Sequence, residues 1–151
     1  MKDRQWDITD LSDLEQAAKE ILQGLAVAPR PAPPAAMVLA LHGDLGAGKT
    51  TFVQILAKHL GVSESVTSPT FVIMKKYQTT DKQFSTLVHI DAYRLESADE
   101  LTVLGFAEEL SRGDTIICIE WAERVADLLP PSTQNLQFAI DSDNHRSLTL
   151  E

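Results

Sequence analysis

The chain is short of cysteine and of positive charge. Its 151 residues include one Cys, and 13 Lys and Arg stand against 22 Asp and Glu, for a net charge of −9. With no partner for Cys118, a disulfide scaffold is excluded, and so is a zinc finger or zinc ribbon built on several cysteines. The apolar run Met37–Leu41 is far too short to cross a bilayer. Met1–Gln5 lacks the apolar stretch of a secretory signal. A cytoplasmic protein with no membrane contact is therefore expected. The deficit of Lys and Arg argues against a self-sufficient nucleic-acid binder, which would carry a basic face. The length predicts one domain spanning 1–151, large enough to bury about two-thirds of its unfolded surface.

What is present alternates between helical and strand patterns. Ser12-Asp13-Leu14-Glu15 reads as a capping box, and Leu14, Ala18, Ile21, Leu22 and Leu25 follow at helical spacing. Gly24 and the prolines at 29–34 are expected to end that helix, leaving 28–36 as a Pro-rich surface loop. Met37–Leu41 has the continuous apolarity of a buried parallel strand. Thr50–Leu60 reads as a helix with Gly61 at its C-terminal cap. Phe71–Met74 and Leu87–Ile90 predict two strands of an antiparallel hairpin around Thr79–Lys82. Ala98–Leu104 and Phe106–Leu110 read as short helices broken at Gly105. Thr115–Ile119 is another buried strand, with Cys118 a core thiol. Leu136–Ile140 and Ser147–Leu150 form a terminal hairpin around Asp143-Asn144. The class is α/β with a mixed sheet.

The strongest chemical signal is Gly43-Asp44-Leu45-Gly46-Ala47-Gly48-Lys49-Thr50, a complete G-x-x-x-x-G-K-[ST] phosphate loop between a predicted strand and a predicted helix. Its glycines let successive N–H groups turn toward phosphate oxygens, and the helix contributes its positive end. Lys49 is placed for the β- and γ-phosphates and the Thr50 hydroxyl for Mg²⁺. All eight residues and the following Thr51 are nucleotide-binding candidates. Asp91 ends one apolar strand and Glu120 ends the next. Ligands of α/β sheets sit beyond such strand ends, so both acids are expected to converge on the loop. Asp91 is the expected metal partner. Glu120 is either a second metal-side group or the residue that orients the attacking water. Ser68 and Thr70 either sense a γ-phosphate, as a switch loop does, or belong to an ordinary Ser-Pro turn. Trp121 is expected to pack in the core and His42 to point into the sheet.

These stretches together resemble the TsaE (YjeE) family, the ATPase component of bacterial tRNA threonylcarbamoyladenosine synthesis. The resemblance rests on His42–Phe52, Ser68-Pro69-Thr70-Phe71, His89-Ile90-Asp91-Ala92-Tyr93-Arg94-Leu95, Glu100-Leu101 with Leu104-Gly105-Phe106, and Ile119-Glu120-Trp121, and covers roughly residues 8–150. It implies a three-layer αβα P-loop NTPase sandwich with a mixed, mostly parallel sheet. It implies ATP and Mg²⁺ as cofactors, with Lys49, Thr50, Asp91 and Glu120 functional and Ser68 and Thr70 switch-like. It also implies a role in modifying the tRNA adenosine beside the anticodon, with the other proteins of the pathway as partners and tRNA met only through them. Ser12 and Arg146 are its further nucleotide-side candidates, near the N-terminus and on the last hairpin.

The alternatives are a small-molecule or nucleotide kinase on the same loop, though the six arginines are scattered and form no lid, and a binding switch that holds ATP without hydrolysing it. A GTPase is excluded by the lack of an Asn-Lys-x-Asp run. With no internal arginine finger evident, ATP hydrolysis is expected to be weak in isolation and stimulated by a partner. The span His89–Asp127 holds ten acids against three arginines. It is either a solvated face or a docking surface for a basic partner, with Glu100, Glu108 and Glu109 the candidates.

Overall fold

The computed structural model describes residues 3–30 and 33–151, so Pro31 and Ala32 of the expected 28–36 loop lie outside the described residues. The described remainder of that loop carries neither helix nor strand.

Seven strands form one sheet: β1 (Arg4–Ile8), β2 (Met37–His42), β3 (Met74–Gln78), β4 (Thr86–Asp91), β5 (Thr115–Glu120), β6 (Gln134–Ile140) and β7 (Arg146–Leu150). Their order is β1-β7-β6-β2-β5-β4-β3. The helices are α1 (Leu11–Val27), α2 (Lys49–His59), α3 (Asp99–Val103) and α4 (Phe106–Leu110), with a 3-10 segment at Ala122–Leu128. The centre is parallel, β6 with β2, β2 with β5 and β5 with β4. The flanks are antiparallel, β4 with β3, β6 with β7 and β7 with β1. The sheet is thus mixed in equal measure, which corrects the mostly parallel expectation. Two short hairpins force antiparallel pairing on either side of the parallel centre, and β1 extends one of them.

Alternation along the central strands sends side chains into two cores. Leu39, Leu41, Leu87, Ile116 and Cys118 pack with α1 and α2 on one face. Val38, Ala40, Val88, Ile90, Ile117 and Ile119 pack with α3, α4 and the 3-10 segment on the other. This is a three-layer αβα sandwich. Each of these fully buried Leu or Ile side chains contributes about 1.5–3 kcal/mol, which explains why both faces of the central strands are apolar. Cys118 is fully buried, and desolvation pushes its thiol pKa well above the ordinary range.

Four boundaries differ from expectation for identifiable reasons. β1 carries no continuous apolar pattern and pairs with β7 through its backbone. Helix α1 is capped by Asp10, whose side chain accepts from Asp13 N–H while Asp13 reaches back, so Ser12 and Glu15 are not the capping box. It also continues through Gly24 to Val27. The buried Ile21 and Leu25 anchor its last turns and outweigh the roughly 1 kcal/mol cost of an internal glycine. Ala28, before Pro29, is forced into an extended conformation. The hairpin strand starts at Met74 rather than Phe71, because Tyr77 is fully buried opposite Leu87. Residues 69–73 instead close a turn in which Ile73 N–H donates to Pro69 O at 2.6 Å, with Ile73 at φ 68° and Phe71 and Val72 exposed.

Candidate functional site

The loop between β2 and α2 begins and ends on glycines with positive φ. Gly43 lies at φ 145°, and a Cβ there would meet Phe138 O at 2.5 Å, so only glycine lets β6 approach. Gly48 precedes α2 at φ 110°. Between them Ala47 N–H donates to Asp44 O at 3.0 Å.

Lys49 opens α2 and is 5% exposed. Its Nζ donates to Gly43 O and lies 4.0 Å from the Trp121 ring centroid. Burial lowers the pKa of this ammonium, while Glu120, Glu123, Asp91 and Asp44 pull it back up. Thr50 Oγ1 donates to Glu120, at 2.8 Å from Oε1 and 3.0 Å from Oε2. Glu120 and Asp91 are register partners at the ends of β5 and β4, and are 4% and 5% exposed. Asp91 Oδ2 accepts from Thr70 Oγ1 at 2.9 Å, and its Oδ1 from Tyr93 N–H at 2.9 Å. Ser68 Oγ lies 2.7 Å from Thr70 Oγ1. The Ser68-Pro69-Thr70 segment is therefore tied to the Asp91 carboxylate.

Lys49, Thr50, Ser68, Thr70, Asp91 and Glu120 surround one cavity of about 220 Å³, with Leu45, Gly46, Gly48, Thr51, Trp121 and Arg146 completing its wall. An adjoining cavity of about 230 Å³ is bounded by Ala47, Gly48, Thr51 and Arg146 together with Asp10, Leu14 and Phe138. Arg146 Nη1 donates to Gly46 O at 3.3 Å, which places the last hairpin against the loop. Gly43 and Asp44 shape the loop from outside both cavities. Ser12 lines neither cavity: its hydroxyl donates to Asp10 Oδ1 at 2.6 Å, and Asp10 and Leu11 face the second cavity instead.

Trp121 packs against the second core but also covers the Lys49 ammonium and lies 5.1 Å from the Tyr93 ring. Its φ of 57° turns the chain just after Glu120. Glu109 is 5% exposed and bound by Lys76 at 2.5 Å, with Arg112 3.6 Å away. It ties α4 to the edge strand and is not a docking residue. Glu100 accepts from Glu96 and Ser97 N–H ahead of α3, while Glu108 is exposed. His42 at the end of β2 lies 3.0 Å from Asn135 Oδ1 and 3.3 Å from Glu123 Oε2, away from the cavity.

Sequence reasoning passed over His89. It is fully buried, with Nε2 2.6 Å from Glu120 Oε2. The available signal was strand periodicity: His89 lies two residues before Asp91 and so faces the same side.

The donor set fits a magnesium nucleotide. One buried ammonium has no carboxylate ion-pair partner and rests on a carbonyl and an aromatic face. Two buried carboxylates face threonine hydroxyls. Among the described residues no group of three or more His, Cys, Asp or Glu side chains is placed to hold a metal ion unaided. A cation here therefore needs water and ligand oxygens, as Mg²⁺ does when bound with phosphates. Among the described residues no helix is long and apolar enough to cross a membrane.

The fold and site define an α/β sandwich built around a strand, glycine-rich loop and helix that face two strand-end acids. The chain belongs to the TsaE family: the family model described as threonylcarbamoyl adenosine biosynthesis protein TsaE matches residues 8–148. It is 41% identical over 113 residues to the tRNA threonylcarbamoyladenosine biosynthesis protein TsaE of Treponema pallidum, covering 75% of this chain and 80% of the relative. It is 37% identical to the protein of that name from Rickettsia felis, covering 75% of this chain and 64% of that relative's length. The crystal structure of Bacillus subtilis YdiB matches with a TM-score of 0.72 at 28% identity, covering 99% of this chain and 84% of that one.

Proposed function

We propose that this chain is a cytoplasmic, single-domain P-loop ATPase. It binds ATP with Mg²⁺, hydrolyses it slowly alone, and supports threonylcarbamoylation of the tRNA adenosine beside the anticodon through partner proteins that hold the tRNA. The pathway follows from family membership and from the names of the relatives. The observation that carries the chemistry is the convergence of Lys49, Thr50, Asp91 and Glu120 on one cavity beyond the ends of β2, β4 and β5.

The loop N–H groups and the start of α2 receive phosphate oxygens. Lys49 exchanges its contact with Gly43 O for the β- and γ-phosphates. Thr50 and Asp91 would hold Mg²⁺, with Glu120 beside them, and the bound ion neutralises charge developing on the phosphoryl oxygens. The Thr50 hydroxyl donates to Glu120, and its oxygen would have a lone pair available for the cation. Glu120, engaged by Thr50 across both oxygens and by His89 at Oε2, is the group that orients the attacking water. Thr70 and Ser68 report occupancy of the site through the Asp91 carboxylate.

Thermal stabilisation by Mg·ATP over GTP, with slow phosphate release, tests the site. Reconstituted tRNA modification that depends on adding this chain to the other pathway proteins tests the role. Failure of ATP to bind would overturn the first, and full modification without the chain the second.

A further inference from the structure

Among the described residues, the fully buried His89 on β4 has Glu120 as its single polar side-chain partner. Nε2 lies 2.6 Å from Glu120 Oε2, and Nδ1 has no hydrogen-bond partner. Its register partners are Cys118 on β5 and Lys75 on β3. The same face of the sheet is otherwise lined by Leu87, Ile116 and Cys118. A residue serving packing alone at that position would be apolar. A buried imidazole with one nitrogen unmatched costs free energy that an aliphatic side chain would not. The unmatched nitrogen therefore marks a side chain retained for its other nitrogen. That nitrogen is placed to donate to the carboxylate from the core side, while Thr50 approaches from the cavity side. Complete burial keeps the imidazole itself from touching nucleotide or water in the cavity.

We propose that His89 is a positioning residue for Glu120: its Nε2–H fixes Oε2 from the core side, which holds the carboxylate in the orientation that faces Thr50 and the attacking water. The inference rests on the ATPase reading above and deepens it. It assigns Glu120 to orienting water, with the carboxylate held by His89 at Oε2 and by the Thr50 hydroxyl across both oxygens. The contact depends on the His89 tautomer with hydrogen on Nε2, which the lone acceptor partner requires.

The test compares His89→Leu, His89→Gln, Glu120→Ala and the double variant His89→Leu/Glu120→Ala with the unaltered full chain. Each is assayed for ATP turnover and separately for equilibrium Mg·ATP binding. His89→Leu is expected to lower kcat by about 10- to 100-fold with binding changed by less than about threefold. His89→Gln, which keeps an N–H donor near the position of Nε2, should recover most of the rate. In the Glu120→Ala background, His89→Leu should cause no further loss, since its effect passes through Glu120. Normal turnover in His89→Leu overturns the proposal, as do independent, multiplying losses in the double variant. Equal losses with Gln and Leu also overturn it, and because Gln preserves polarity and volume this arm holds even where Leu impairs folding. A separate arm follows the slowly exchanging imidazole Nε2–H proton by NMR. It should be visible in the unaltered protein and lost in Glu120→Ala, and its presence in both would refute the contact without reference to activity. Lys49→Ala separates the two readings. If that variant turns over ATP normally, the ATPase reading fails. If it is inactive while His89→Leu is fully active, only the role of His89 fails.

Discussion

Lys49 is the residue whose burial most needs an explanation. A 5% exposed ammonium whose pKa is lowered by desolvation is a standing cost, offset here by a carbonyl and the Trp121 ring. Incoming phosphates would offset it far better. Lys49→Ala is therefore expected to abolish stabilisation by Mg·ATP and to cut phosphate release by about 10²–10³-fold, with the ligand-free melting temperature unchanged or raised. Differential scanning fluorimetry and a phosphate assay on the same samples check both halves. Glu120→Gln keeps the shape but loses the negative charge. Turnover should fall about 10²-fold with Mg·ATP affinity within about threefold, measured by calorimetry. An equal loss of affinity would make Glu120 a metal ligand instead.

At the scale of an element, α1 depends on a cap, Asp10, that lines the second cavity. Asp10 accepts from Ser12 and Asp13, and these hydrogen bonds hold its carboxyl below the ordinary aspartate value of 3.8. Because the folded value is depressed, the stabilisation is fully present above pH 3.8. It is lost as the pH falls through the folded value. Asp10→Ala should lower the melting temperature at neutral pH by roughly 2–4 °C and flatten the acid limb of the stability profile. Circular dichroism melts between neutral pH and about pH 3 provide the check, and an unaltered acid limb would place the dependence elsewhere. The 69–73 turn is a second element with a stored cost. Ile73 is β-branched at φ 68°, a conformation such side chains rarely adopt. It is kept there by bonds from its own N–H to Pro69 and from Asp91 N–H to its carbonyl. The strained turn thus ends on the strand residue whose carboxylate Thr70 binds.

The whole molecule carries a net charge of −9, with ten of its 22 acids in the span His89–Asp127. Of the docking candidates Glu100, Glu108 and Glu109, one leaves the set once the tertiary structure is known: Glu109 is buried and held by Lys76. Glu100 and Glu108 remain exposed, as does Asp99. If they steer a basic partner surface, Glu108→Lys combined with Asp99→Lys should slow association several-fold and weaken its salt dependence, with ATP turnover by the isolated chain unaffected. Surface plasmon resonance at two ionic strengths decides it. An unchanged association rate would leave those acids as a solvated face.

Local chemistry was readable along the chain wherever one segment supplied all the parts. The loop Gly43–Thr50 needed only its glycines, lysine and threonine in order. The fully buried strands β2, β4 and β5 needed only continuous apolarity, and Gly105 with its φ of 92° broke α3 from α4 as its place between two helical patterns required. Asp91 and Glu120 were legible because strand ends in α/β sheets point to one edge. Other features depended on distant partners. The edge strand β1 is recruited by β7, the hairpin register is set by burial of Tyr77, α1 outlasts Gly24 because Ile21 and Leu25 are buried, and Glu109 is drawn inward by Lys76. His89 belongs to both categories. Periodicity alone put it on the face of Asp91, but its hydrogen bond to Glu120 exists only because β4 and β5 pair in the register that sets Asp91 beside Glu120. The sequence by itself determined the loop, the alternating pattern and the residue types of the site, since backbone geometry and hydrophobic periodicity act over a few neighbours. Only the tertiary structure decided which side chains meet, because contacts between residues tens of positions apart depend on sheet order, register and the space left after the core is filled.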